Sequence, residues 1–145
     1  MMIQRTVAEA LAREPVLLRE ISNAAQLALR VGAHDDAKRL YEGLVAASPN
    51  DAELNYGLAT TYVALERFGD ALARYDACIR CAFSHVGALA GRGELMARLG
   101  RRGEAAADLT RAVAYDAGRN SEEGRRASKA LSLLQPAAQP NSAPP

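Results

Sequence analysis

Apolar residues recur along this chain at three- and four-residue steps, interrupted at intervals by glycine, proline or short polar runs. Leu54, Leu58, Tyr62 and Leu65 fall on one helical face, and Ala71, Tyr75 and Cys78 on another. Read this way, the sequence predicts helices near 17–31, 35–47, 51–65, 68–81, 85–99 and 103–116. A short helix over 6–13 precedes them, with Thr6 and Glu9 as a capping box. A last helix covers 121–134, where Ala127, Ala130, Leu131 and Leu134 lie on one side and Arg125, Arg126 and Lys129 stay in water. No stretch alternates with the two-residue period of a strand, so the expected class is all-α.

The helical pattern itself repeats every 34 residues. Ala25, Ala59 and Gly93 form one column, and Ala28, Tyr62 and Met96 another. Gly32, Glu66 and Gly100 form a third, followed by Ala37, Ala71 and Ala105. Tyr41, Tyr75 and Leu109, then Leu44, Cys78 and Ala112, complete the set. The small columns let helix backbones approach closely, and the tyrosine–leucine column fills the space between stacked units. Gly32 and Gly100 sit where a helix end wants a left-handed residue. Glu66 stands in that column, so its turn is expected to be strained or built differently. Asn50 with Glu53, and Ser84, are the candidate caps of the following helices.

A 34-residue unit with these columns resembles the tetratricopeptide repeat (TPR), from about residue 18 to 119. The resemblance implies a helix-turn-helix per unit and a right-handed superhelix. It divides the chain into an N-terminal helical segment 1–16 and three repeats within 17–119 (about 18–51, 52–85 and 86–119). A capping helix 120–134 then covers the open end, and a disordered tail 135–145 rich in proline follows. The inner wall of such a superhelix comes from the first helix of each unit. Its implied groove residues are Asn23, Gln26, Leu29 and Arg30, with Ser22 beside them; Tyr56, Gly57, Thr60 and Val63, with Ala64; and Ala90, Gly91, Glu94 and Arg98, with Ala97. Gly57, Gly91 and Ala90 would leave room for a ligand backbone, although both glycines also suit tight helix packing. Tyr56 reads equally as a ligand contact or as a packing residue. The Lys, Arg and Asn set that clamps chaperone carboxylates in some TPR proteins is mostly replaced here by Ser, Gln, Gly and Ala; Arg30 and Arg98 remain but flank the site, so that clamp is expected to be absent.

The layout is also similar to the TPR chaperones of bacterial type III secretion. The stretch from Gly32 to Ala37 with Tyr41 and Leu44 resembles their first repeat. Tyr56, Gly57, Leu58, Ala59, Tyr62 and Ala71 resemble their second, and Arg126 to Leu131 their last helix. That resemblance implies a non-catalytic protein that holds an extended segment of a hydrophobic translocator in its groove. A generic TPR adaptor or scaffold in another bacterial assembly is the alternative. The apolar residues Ile3, Val7, Ala10 and Leu11 would cap the first repeat or pair with a second copy, and a homodimer is expected.

Composition adds exclusions. The formal net charge is +1, so no strong field draws nucleic acid or an anionic membrane. Glu9, Arg13 and Glu14 interrupt the start too early for a signal peptide, and no window is apolar enough to insert in a bilayer, so a cytoplasmic protein is expected. Cys78 and Cys81 match a C-x-x-C spacing with His85 four residues on, but Cys78 belongs to a core column and no strand pattern is nearby. His34 reads as a turn packing residue. Gly91, Arg92 and Gly93 lie inside a helix, away from any phosphate-binding turn. Asp35, Asp36, Glu122 and Glu123 complement helix N-termini, and Arg101, Arg102, Arg125 and Arg126 read as solvated surface. No enzyme, cofactor or metal is expected.

Overall fold

The computed structural model describes residues 2–136. They form eight helices: α1 (Met2–Ala12), α2 (Pro15–Arg30), α3 (His34–Ala47), α4 (Ala52–Ala64), α5 (Phe68–Cys81), α6 (Val86–Arg98), α7 (Arg102–Tyr115) and α8 (Glu122–Leu134). No strand occurs among the described residues. Residues 137–145 of the expected tail lie outside them.

Within each repeat the pairs α2–α3, α4–α5 and α6–α7 pack as antiparallel hairpins. Each hairpin turns through the same motif. The amide of Ala33 donates to Ala28 O at 2.8 Å, that of Arg67 to Tyr62 O at 2.9 Å and that of Arg101 to Met96 O at 2.9 Å. This is the Schellman closure, and it needs a left-handed residue just before the donor. Gly32 (φ 81°), Glu66 (φ 57°) and Gly100 (φ 80°) supply it. Glu66 therefore adopts the glycine turn at the steric cost of its Cβ, about 1–2 kcal/mol. Glu66→Gly should raise stability by about 0.5–1 kcal/mol after the added chain entropy of glycine. A thermal melt that fails to shift upward would show that Glu66 carries no strain.

The helix starts correct three sequence expectations. Helix α1 already begins at Met2, so Thr6 lies inside it and not at its start. Asp51, not Asn50, caps α4, its carboxylate accepting the Leu54 amide at 3.0 Å. His85, not Ser84, caps α6, its Nδ1 accepting the Ala88 amide at 3.0 Å. Asp51 and His85 are 34 apart, so the cap is a column of the repeat that differs in residue type. Ser121 caps α8 through the Gly124 amide at 3.0 Å.

Packing follows the columns. Ala25, Ala59, Ala37, Ala71 and Ala105 are fully buried, and Tyr41, Tyr75 and Leu109 nearly so. The small column also continues to a fourth member, Ala127, which is fully buried against Leu89, Ala90, Leu109 and Ala112. Helix α8 thus takes the place of the first helix of a fourth unit and covers α6 and α7.

Among the described residues, buried polar side chains find partners, His34 Nδ1 excepted. Asn55 is fully buried. Its Nδ2 donates to Pro49 O (2.9 Å) and Asp51 O (2.8 Å), fixing the turn before α4. The Arg92 guanidinium on α6 donates to both oxygens of buried Asp108 on α7, at 2.6 and 2.8 Å, and to Asp76 on α5 at 2.7 Å. Arg92 stands in the column that holds Leu58 in the preceding unit, so an ion network replaces an apolar contact there.

Candidate functional site

Which side of the stack is hollow follows from which helices meet. Helices α2, α4, α6 and α8 touch in succession, whereas α3, α5 and α7 do not touch one another. The first helices are therefore the inner wall and the second helices splay outward.

On that wall Tyr56, Thr60 and Val63 of α4 come together with Gly91, Glu94 and Arg98 of α6 around a hollow of about 140 Å³. Tyr75, Leu95 and Arg126 complete its lining. Six of the twelve residues expected in the groove thus share one site. Asn23, Gln26 and Arg30 are exposed on α2 and Leu29 is half-buried against the core; none of the four lines the hollow.

Two expected groove residues, Ala90 and Gly57, do something else, and Gly91 is in the lining as the seat of Tyr75. Ala90 is fully buried in the core around Leu89 and Leu109, so it offers no surface. Gly57 lies beneath the Tyr41 ring, and a Cβ there would overlap the ring carbons. A Cβ on Gly91 would lie 2.5 Å from the Tyr75 hydroxyl oxygen. The tyrosines of α3 and α5 occupy the space that these two glycines leave. The seats are 34 residues apart, as are the tyrosines that fill them. The sequence held this signal in its Gly57–Gly91 column, but not what fills the gap.

Tyr56 serves both roles weighed for it. Its ring rests on Gly87 and lies 4.9 Å from the His85 ring and 6.3 Å from Tyr75, while one edge faces the hollow. Burial pushes the phenol pKa of Tyr56 up, and that of Tyr75 up to about 12. Both stay neutral hydrogen-bonding groups at physiological pH. The wall is mainly apolar, with hydroxyls at Tyr56, Thr60 and Tyr75.

Arg126 was not foreseen in the site. It comes from α8, and its Nε and Nη2 donate to the two Glu94 oxygens at 3.0 Å each. The expectation that Arg126 is free solvated surface is corrected: it pairs bidentately and closes the C-terminal side of the hollow. A second, polar hollow of about 340 Å³ adjoins it at Tyr56, among Glu53, His85, Gly87, Ser121 and Glu123.

His85 and Cys78 have structural roles. His85 uses Nδ1 as the α6 cap, which leaves Nε2 to donate to Glu53 at 2.9 Å. Cys78 is fully buried, and burial pushes its thiol up to about 12. Cys81 is exposed and the two are not bonded. A maleimide should label Cys81 in the folded protein and Cys78 only after unfolding; comparable labelling of both under native conditions would contradict the packing. No described helix is long and apolar enough to cross a membrane.

Comparisons with known proteins agree with this fold. Residues 28–83 match the tetratricopeptide-repeat family model. No curated protein matches the sequence. Among solved structures, a type III secretion complex from Aeromonas hydrophila is similar at TM-score 0.81 and 19% identity, over 88% of this chain and 87% of that one. The Yersinia enterocolitica type III secretion chaperone SycD, in complex with a peptide of the translocator YopD, gives 0.75 at 19% identity, over 81% and 91%. The first TPR of Spaghetti (RPAP3), bound to an HSP90 peptide, gives 0.72 at 21%, over 81% and 89%. Residues 28–83 carry the tetratricopeptide-repeat match, and the chain shares the fold of TPR structures.

Proposed function

We propose that this chain holds an extended segment of another polypeptide against α2, α4 and α6, and that its client is a hydrophobic translocator-type substrate of type III secretion. The observation that carries the reading is the small apolar hollow between α4 and α6, open on the inner wall and rimmed by hydroxyls. Such a surface seats an aliphatic anchor while Thr60 and Tyr56 meet the client backbone. The fold shared with SycD and the Aeromonas complex over most of both chains supports the pathway. The Spaghetti TPR, which binds an HSP90 peptide on the same fold, supports the wider reading of a TPR adaptor. The protein is read as cytoplasmic and non-catalytic; His85 serves as the α6 cap and Cys78 lies in the core.

A homodimer through α1 belongs to the same proposal. Val7 and Ala10 are exposed and Leu11 faces α3 across a largely apolar hollow of about 480 Å³; the side chain of Ile3 lies outside the described residues.

Co-expression tests the client. A translocator with long apolar stretches, insoluble alone, should appear in the soluble fraction with this protein. Thr60→Arg or Val63→Asp should return it to the pellet while far-UV circular dichroism stays unchanged. Undiminished rescue by both variants would place binding elsewhere.

A further inference from the structure

Glu94 and Arg98 stand four residues apart on α6, the spacing at which an acid and a base ordinarily pair along a helix. They do not pair. Arg126 takes both oxygens of Glu94 from the neighbouring helix. Arg98 instead lies over the Phe68 ring, its guanidinium carbon 4.8 Å from the ring centre. The stack orients Arg98 without using its hydrogen-bond donors. Among the described residues no carboxylate comes within ion-pair distance of it, although it lines the hollow with Tyr56, Thr60 and Val63. Glu94, the one acid among the residues that line the hollow, is already paired with Arg126. The lip of the hollow is therefore a positioned cation waiting for an anion.

We infer that the groove reads a carboxylate as well as an apolar anchor, and that Arg98 is the residue that selects it. The inference rests on the peptide-holding reading above and names the chemistry of its client. The hollow is about 140 Å³, well under the roughly 300 Å³ at which small-molecule sites begin, so it takes one aliphatic side chain. In an extended chain, side chains on one face recur every second residue, about 6.6–6.8 Å apart. Arg98 forms part of the wall of the anchor site, so the acidic residue falls within two positions of the anchor. This is one cation at the edge of an apolar seat, with Glu94 and Arg126 fixed behind it.

Selection from a random-peptide display library tests this without a known client. The wild-type protein should enrich peptides with Leu, Ile or Met and an Asp or Glu within two residues of it. Arg98→Gln should keep the aliphatic preference and lose the acid. On a selected, fluorescein-labelled peptide it should weaken binding about three- to tenfold. Arg126→Gln should act in the same direction, because it frees Glu94 to capture Arg98. Circular dichroism verifies that both variants stay folded. Enrichment of aliphatic peptides with no acidic bias would overturn the role of Arg98 and leave peptide holding intact. An acidic bias that persists in Arg98→Gln would overturn it as well. Failure to enrich any peptide would overturn both readings together.

Discussion

Asp108→Ala is expected to cost about 3–5 kcal/mol, enough to unfold a chain of ordinary marginal stability. The carboxylate is nearly fully buried on α7 and accepts two charge-assisted bonds from Arg92. Those bonds hold the Arg92 guanidinium firmly in its charged form, its pKa raised above the usual arginine value. With Asp108 gone, Arg92 cannot shed its proton, since an arginine stays charged in proteins. It keeps only Asp76, which is half-exposed. The loss is thus the cost of a stranded charge, well beyond two deleted hydrogen bonds. The double variant Arg92→Leu with Asp108→Ala removes charge and countercharge together and restores the residue type of Leu58 one repeat earlier. It should recover most of the lost stability, because an apolar replacement of a buried pair is often close to neutral. Urea melts of the two singles and the double measure this coupling directly. A cost below about 1 kcal/mol for Asp108→Ala would mean that water reaches the pair and screens it.

The network also shows where sequence reading stopped. Helices, turns and the inner layer were legible because each is set by residues close in sequence or by a column repeated at 34. Glu66 in the glycine column marked a turn either strained or built differently, and the residue takes the left-handed φ of the glycine it replaces. The caps were off by one because Asn50 and Asp51, or Ser84 and His85, are both able to accept an amide. Only the register of the preceding turn decides between them. Arg92 and Arg126 were illegible for a different reason. Their partners lie 16 and 32 residues away on other helices, and an arginine on a helix looks the same whether it faces water or a buried carboxylate. The groove was half legible. Its positions follow from the family geometry, but on a first helix the inward face grades into the packing face within one residue. Tyr56 and Thr60 fell on the open side. Gly57, Gly91 and Ala90 fell where the second helix of a repeat reaches in.

Those glycines give the sharpest contrast in the molecule. Gly57→Ala should destabilise by about 2 kcal/mol, although alanine is worth up to ~1 kcal/mol over glycine inside a helix. The added methyl meets the ring of Tyr41, which is itself buried and has nowhere to turn, so overpacking outweighs propensity. Gly43→Ala, a change of the same chemistry on α3, meets nothing within 4 Å and should stabilise by about 0.5–1 kcal/mol. Tyr41→Leu removes the ring and should reverse the sign at position 57: in that background Gly57→Ala becomes neutral or stabilising. Chemical denaturation of the three singles and the double reads the reversal. Gly91 and Tyr75 form the same pair one repeat later, and there the outcome reaches the function. Tyr75 lines the hollow, so displacing it through Gly91→Ala should reshape the anchor seat as well as lower stability. Peptide affinity should fall for Gly91→Ala under conditions where it remains folded, and hold for Gly57→Ala, whose tyrosine does not line the hollow. An equal effect on affinity at both positions would mean that binding follows global stability and not the seat between α4 and α6.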